Sequence, residues 1–306
     1  MAIMTRASWS QILEVGLRDI FYAHLKKVTF YGPKILAVTD SKKKKEEYQT
    51  VGGMGIATEK TEAAAIASDN LTQGYNKILT NVSYGNGFTV SKELHDDDQY
   101  GVIKTAPKEL SNSMARCVEY YCAAIFNNPT STADAYVCAD GLALLSTAHL
   151  QLDGNTYANK PSTDIDLGIS ALEAAYTNMM LIEDDRSNVT PYVPKILVCH
   201  PNDMFTAKKI LGSSKDPDSA NNTINPLEGA LELIVWPYLT DTDAWFLLTA
   251  KSERVAGPSG PMLQWRQKAD FEKDTDIDTR SATFNSMERF VCGTVNWRGV
   301  YGSTGG

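Results

Sequence analysis

The residues able to do chemistry are few and scattered. Histidine occurs at His24, His95, His149 and His200 only. None falls in an H-x-x-x-H or H-E-x-x-H pair, the spacing that puts two imidazoles on one helix face to hold zinc, so no metal site is signalled. Cys199 and His200 are neighbours at the end of an apolar run, and neighbours on a strand point to opposite faces, so they form no nucleophile–base dyad. Asp274, Asp276 and Asp278 open like a calcium-binding loop. Thr279 stands where that loop needs glycine, and Asn285 where it needs glutamate, so an acidic loop is the better reading. Gly53-x-Gly55 and Gly85-x-Gly87 lack the G-K-[ST] that turns a glycine-rich loop into a phosphate cradle. Ser146 lies three residues before His149, but without the G-x-S-x-G elbow that would present a hydrolase nucleophile. Catalytic, cofactor and metal residues are therefore all read as none.

The elements that would have to position any such group are easier to see. The clearest is a helix over 105–128, with Thr105 as its cap, Pro107 in its first turn and Pro129 just beyond its end. Leu110, Met114, Cys117, Val118, Tyr121, Ala124 and Ile125 recur at helical spacing as one apolar stripe. A rod of about 24 residues at 1.5 Å each is roughly 35 Å long, twice an average helix. Before it, 8–22 reads as a short amphipathic helix, and 28–39 turns strand-like around Gly32-Pro33. Residues 50–75 are rich in Gly, Ala, Thr and Glu and poor in large apolar side chains. Such a segment cannot bury itself and is expected to leave the globule as an extended hairpin or loop. Ile78 to Val90 alternates as one strand, with Gly85 and Gly87 marking a bend. An acidic turn, His95 to Asp98, follows. Further helices are expected over 164–183 and from Pro201 to about Gly212, and strands over 195–199, 231–236, 245–249 and 282–295. The mixed order of elements is that of an α+β protein.

Composition bounds the class. The chain has 306 residues, 43% hydrophobic and 22% charged, with five cysteines and no C-x-x-C. It is long enough for two domains or one elaborated domain. The opening has no signal-peptide pattern, and no apolar run approaches bilayer length, so no membrane partner is expected. The cysteines read as small buried hydrophobes of a protein made in a reducing cytosol. Net charge is −8, but residues 1–45 carry +6 and the remainder −14. A basic arm, ending in Lys42, Lys43, Lys44 and Lys45, on an acidic body suits docking on an acidic neighbour or loose, salt-sensitive contact with nucleic acid.

Three stretches carry a more specific resemblance. Asp140-Gly-Leu-Ala-Leu-Leu-Ser-Thr-Ala-His149 resembles the D-G-x-x-L-x-S-x-x-H signature of the Mu-type major head subunit family. Ile224-Asn-Pro-Leu227, followed by Trp236-Pro-Tyr-Leu-Thr-Asp-Thr-Asp-Ala-Trp-Phe-Leu-Leu248, is similar to that family's N-P-Y-L-T-D-x-D-A-W-F-L segment. Trp297-Arg-Gly-Val-Tyr-Gly-Ser303 resembles its closing R-G-V-Y-G-S. The sequence departs at Leu150 and Trp236, where the family has Pro and Asn.

The resemblance, covering nearly the whole chain, implies a tailed-phage major capsid protein of the Hong Kong 97 fold, with no enzymatic activity. It implies an N-terminal arm (1–47), an extended loop with returning strand (48–90), and a peripheral domain (91–149) whose spine helix spans 105–128. It further implies an axial domain (150–265) and a C-terminal strand returning to the peripheral domain (266–306). The spine-helix core would be Leu110, Met114, Val118, Tyr121 and Ile125. Gly52, Gly53, Gly55, Lys60, Glu62, Gly74 and Tyr75 would form the inter-subunit loop. Implied partners are copies of the chain in hexamers and pentamers, a separate scaffold protein, a portal, decoration proteins and packaged double-stranded DNA. The shell would be assembled in the host bacterial cytoplasm. Some relatives join a loop lysine to a neighbour's asparagine; Lys60 is the candidate here, but no partner asparagine or catalytic acid is identifiable, so no cross-link is expected. The alternative is an encapsulin-like compartment shell holding enzyme cargo.

Overall fold

The computed structural model describes residues 6–63, 65–91, 93–94, 101–215, 224–256, 260–276 and 281–306. The acidic run His95–Asp98 and the third aspartate of the calcium-like loop, Asp278, lie outside them. Two sheets share one long helix. α1 (Arg6–Leu25) is followed by a helical turn, α2 (Gly32–Ile35), and a short strand, β1 (Ala37–Asp40). The strand expected over 28–39 thus begins as helix, because Pro33 sits in the first turn, where its fixed φ and missing N–H are tolerated.

β2 (Lys45–Gly52) and β3 (Thr72–Thr80) form an antiparallel hairpin of their own. β4 (Val82–Val90) follows at once but belongs to a different sheet. The single strand expected over 78–90 is therefore two, and the break is at Asn81 rather than at Gly85 or Gly87. The Asn81 amide is buried and hydrogen-bonded to Ser41 Oγ, the Lys43 carbonyl and the Gln264 side chain, which fixes the corner. Gly85 and Gly87 stay in register opposite Met287 and Asn285.

α3 (Ala106–Asn127) is the long helix. Thr105 precedes it in a helical conformation and its side chain makes no capping bond, so Pro107 is what marks the start. Beyond it lie the small hairpin β5 (His149–Leu150) and β6 (Thr156–Tyr157), then α4 (Ile169–Met180) and β7 (Pro194–Cys199). α5 (Met204–Gly212), β8 (Glu232–Val235), β9 (Trp245–Thr249), α6 (Lys251–Ala256) and β10 (Pro261–Gln267) follow. The chain closes with β11 (Glu272–Thr275), β12 (Ala282–Thr294) and β13 (Val300–Ser303).

β12 is the axis of the first sheet. It pairs with β10 and β11 on one side and with β4 on the other, all antiparallel, and β1 joins β10 in parallel. The second sheet runs β13-β9-β7-β8, with only β7 and β8 parallel. α3 joins the two. In its first half Leu110 and Met114 pack with Leu17, Phe21, Val90 and Phe284. In its second half Val118, Cys122, Ile125 and Phe126 enter the main core with the strands of the second sheet. Phe126 meets Trp236 and Phe246 edge-on, with centroids 5.6 and 5.0 Å away. At its end the Asn127 amide donates to the Tyr238 carbonyl and accepts from the Thr240 N–H.

Tyr121 corrects the expected core of this helix. Leu110, Met114, Val118 and Ile125 are buried, but Tyr121 is 38% exposed, at the edge of the stripe with its ring 4.4 Å from that of Tyr84. The apolar face also contains a carboxylate. Glu119 is buried, and its oxygens accept from the N–H groups of Tyr31 and Gly32 and from the Trp236 indole, at 2.7 to 3.1 Å. Burial raises its pKa and those donors oppose the rise. One side chain thereby ties α2, α3 and the second sheet together.

Candidate assembly interface

The β2–β3 hairpin packs into a core only at its base. At its base Leu79 is buried with Ala37, Met262 and Val295, and Tyr48 donates to Gln264 Oε1 at 2.7 Å. Gly74 lets the two strands close, since a Cβ there would stand 2.7 Å from the Thr50 carbonyl. Gly52 pairs with Thr72 at the far end, and Tyr75 is half-buried, with a pKa raised by burial. Beyond Gly52 the chain loses regular structure until Thr72, and here Lys60 and Glu62 are exposed. Val51, Met54, Ile56, Ile66 and Leu71 are each more than half exposed. Scattered apolar residues on a surface need no explanation, but five within one irregular segment and its strand ends make it a candidate contact surface.

The segment does not leave the globule freely, as its composition led us to expect. Asp69 clasps it to the turn after α4. Arg186 Nη1 donates to both Asp69 oxygens at 2.9 and 2.8 Å, and Arg186 Nη2 to the Asn70 carbonyl at 2.8 Å. The Gly55 N–H donates to the same aspartate at 2.7 Å. The Gly55 and Asn70 N–H groups, followed by Arg186, hold the Asp69 carboxyl below its usual range. Gly53 lies beside Asp184. Of the residues singled out in the loop, Gly52, Gly53, Gly55, Gly74 and Tyr75 therefore sit along the hairpin and its clasp, while Lys60 and Glu62 belong to its outer tip. Sequence reasoning missed Asp69 and Arg186. The only hint was the charged turn Asp184-Asp185-Arg186, which carries no periodicity.

Lys42 to Lys44, in the turn before β2, and Lys45, its first residue, are exposed, with Lys43 4.0 Å from Glu46. Ser41 holds the turn, accepting from the Lys43 N–H.

Each of the three stretches that carried the family resemblance contributes buried side chains that hold a corner of the fold. His149 is fully buried, its Nδ1 2.7 Å from Asp140 Oδ2 and its Nε2 3.3 Å from the Leu144 carbonyl. Its ring stacks on Trp297, from the closing stretch, at 4.6 Å and 11°. Arg298 covers Trp297 and donates to Asp185 at 3.0 Å. Asn225 is buried and closes the end of α5 by donating to the Ile210 and Ser213 carbonyls. Ser146 Oγ accepts from the Ala148 N–H, while both His149 nitrogens are engaged elsewhere, so these two residues form a structural corner and not a hydrolase pair. Cys199 is buried, which pushes its thiol up to about 12, and His200 Nδ1 accepts from the Asn202 N–H. Among the described residues no cluster of acidic, histidine and cysteine side chains could hold a metal, and no helix is long and apolar enough to cross a membrane.

The arrangement of hairpin, long helix and two sheets is that of the Hong Kong 97-type capsid fold. The capsid structure of cyanophage P-SCSP1u matches with a TM-score of 0.59 at 8% identity, covering 90% of this chain and 87% of that one. The Microbacterium phage Oxtober96 structure matches with a TM-score of 0.56 at 11% identity, covering 91% and 92%. A virus-like particle from Pyrococcus furiosus matches with a TM-score of 0.53 at 11% identity, covering 95% and 99%. No curated protein sequence matches. The phage capsid protein family model matches residues 76–303, and the chain belongs to that family. It is a structural protein of the virion and not an enzyme.

Proposed function

We propose that this chain is the major head subunit of a tailed double-stranded DNA phage, and that its copies form hexamers and pentamers that close into an icosahedral shell around the genome. The observation that supports the closed assembly best is the hairpin. It presents a row of exposed apolar residues on a segment that makes no core of its own, and a neighbouring copy supplies the missing surface. Repetition by symmetry lets each such contact be weak while the shell is stable.

In this reading residues 1–47 are the arm and 48–90 the extended loop. Residues 91–149 form the peripheral part around α3, 150–265 the axial part around the five-fold and six-fold centres, and 266–306 the return to the peripheral part through β11 and β12, before β13 ends beside β9 in the second sheet. The junction supports it, because α3 and β12 both run from one core into the other. Lys42 to Lys45 make sequence-independent contact with packaged DNA that weakens steeply with salt. A scaffold, a portal and decoration proteins complete the particle in the bacterial cytoplasm, and no covalent link forms at Lys60. The stretches Asp140–His149 and Trp297–Ser303 support a head subunit of the Mu type. An encapsulin-like shell is the second reading, favoured by the fold likeness to the Pyrococcus furiosus particle. The phage capsid family match across 76–303 favours the first.

Electron microscopy of the purified protein, with and without a scaffold protein from the same phage, tests the assembly. Polyhedral shells, or rings of five and six, are expected. A protein that stays monomeric with the scaffold present refutes the proposal, and shells isolated with enzyme cargo and no DNA shift it to the second reading.

A further inference from the structure

Where α3 crosses β12, three thiols gather. Cys122 is fully buried on the helix, and its Sγ lies 3.2 Å from Sγ of Cys292 on the strand, 170 residues away in sequence. Cys292 and Cys117 are only half-buried. All five cysteines are free. Gly32 closes the other side of Cys122. A Cβ at that position would stand 2.9 Å from both Cβ and Sγ of Cys122, so the sulfur has little room to swing away from its partner.

We infer that Cys122 and Cys292 are a latent cross-link, joined by a small-molecule disulfide once the protein leaves a reducing compartment. The pair needs to close by about 1.2 Å to reach the length of a disulfide bond, near 2.0 Å. The half-buried Cys292 is the entry point. Its thiolate attacks one sulfur of the reagent, and one small thiol leaves. Cys122 then attacks the Cys292 sulfur of the mixed disulfide and expels the second small thiol, which takes up the proton given up by Cys122. Two protein thiols and one small disulfide become one protein disulfide and two small thiols.

Burial pushes the Cys122 thiol well above its ordinary range, so little of it is ionised and the second step is slow. The subunit is thus made and assembled reduced, and becomes stapled only on long exposure to an oxidising medium, where disulfides persist. The staple fastens the long helix to the central strand. Only its timing rests on the proposed function; the chemistry is a property of the folded chain.

The test is to incubate the purified protein with oxidised glutathione, count thiols after denaturation and map the non-reduced digest. The expected result is a fall from five thiols to three, with one peptide pair joining Cys122 to Cys292, reversed by dithiothreitol. C117S should behave the same, and C292S should keep all its remaining thiols. Persistence of five thiols, a Cys117–Cys292 bridge, or accumulation of a glutathione adduct alone would overturn the inference. If a cysteine variant fails to fold, the map of the unmodified protein decides alone.

Discussion

Glu288 offers the sharpest test of how the long helix is seated. It lies on the face of β12 turned toward α3, 2% exposed, and one of its oxygens has no hydrogen-bond partner among the described residues. The Cys117 thiol beside it is a weak donor, and the other groups nearby, Glu119, Cys122 and Cys292, supply no positive charge. Burial raises the Glu288 pKa from 4.5 to about 8, with the Cys117 bond working against the rise. The folded state therefore keeps a proton that the unfolded chain has already lost. Below pH 4.5 both states are protonated and the group is neutral to stability. As pH climbs from 4.5 to about 8 the folded state loses ground, and above that the penalty is constant. Each pH unit across that interval costs about 1.4 kcal/mol, so the penalty is roughly 3 kcal/mol at pH 7 and roughly 5 kcal/mol at pH 9. Glu288→Gln keeps the shape and removes the charge. We expect equal thermal midpoints for variant and parent near pH 4.5, and a variant advantage that widens to roughly 5–10 °C at pH 8.5. The measurement is a series of thermal melts of both proteins in the same assembly state, checked by sedimentation. Parallel curves across the range would refute the reasoning, because every other titrating group is common to both and cancels.

Two further outcomes follow from polar contacts elsewhere in the fold. Glu119→Ala strands the N–H groups of Tyr31 and Gly32 and the Trp236 indole in a dry interior, and should cost about 3–5 kcal/mol in a urea titration, whereas Glu119→Gln, which keeps an acceptor, should cost less. Arg186→Ala opens the clasp on Asp69, and since that contact is exposed the melting midpoint should hardly move. Trypsin should nevertheless cut after Lys60 several-fold faster, as read by timed digestion and mass spectrometry, and an unchanged rate would show that the clasp does not restrain the loop.

What the sequence made legible followed from local physics. α3 was readable because one apolar face repeats between two prolines, and β12 because a long alternating run has few alternatives. Tyr121 fell within the stripe by spacing alone, yet a phenol at its edge can stack on Tyr84 and still reach water. Asn81 gave no sign that it ends a strand, since its three partners come from distant parts of the chain. The clasp was invisible for the same reason. Asp69 and Arg186 stand 117 residues apart in separate polar loops, and neither loop has a period that would pair them. The Asp140–His149 signature was recognised as text, but its physical role, a buried ring stacked on Trp297, depends on a strand closing at the opposite end of the chain.

That dependence on late-arriving residues bears on biosynthesis. β4 has its only strand partner, among the described residues, in β12, and Thr89 meets Thr283 across 194 residues. Until the ribosome has made β12, the β4 edge has no strand to pair with, and the part of α3 that packs on β12 lacks that partner. A nascent or truncated chain thus lacks the strand on which the base of the β2–β3 hairpin rests. Where many identical chains are made together, only a chain that includes β12 can offer its hairpin on a fixed base, so a fragment is a poor match for the place of a completed copy.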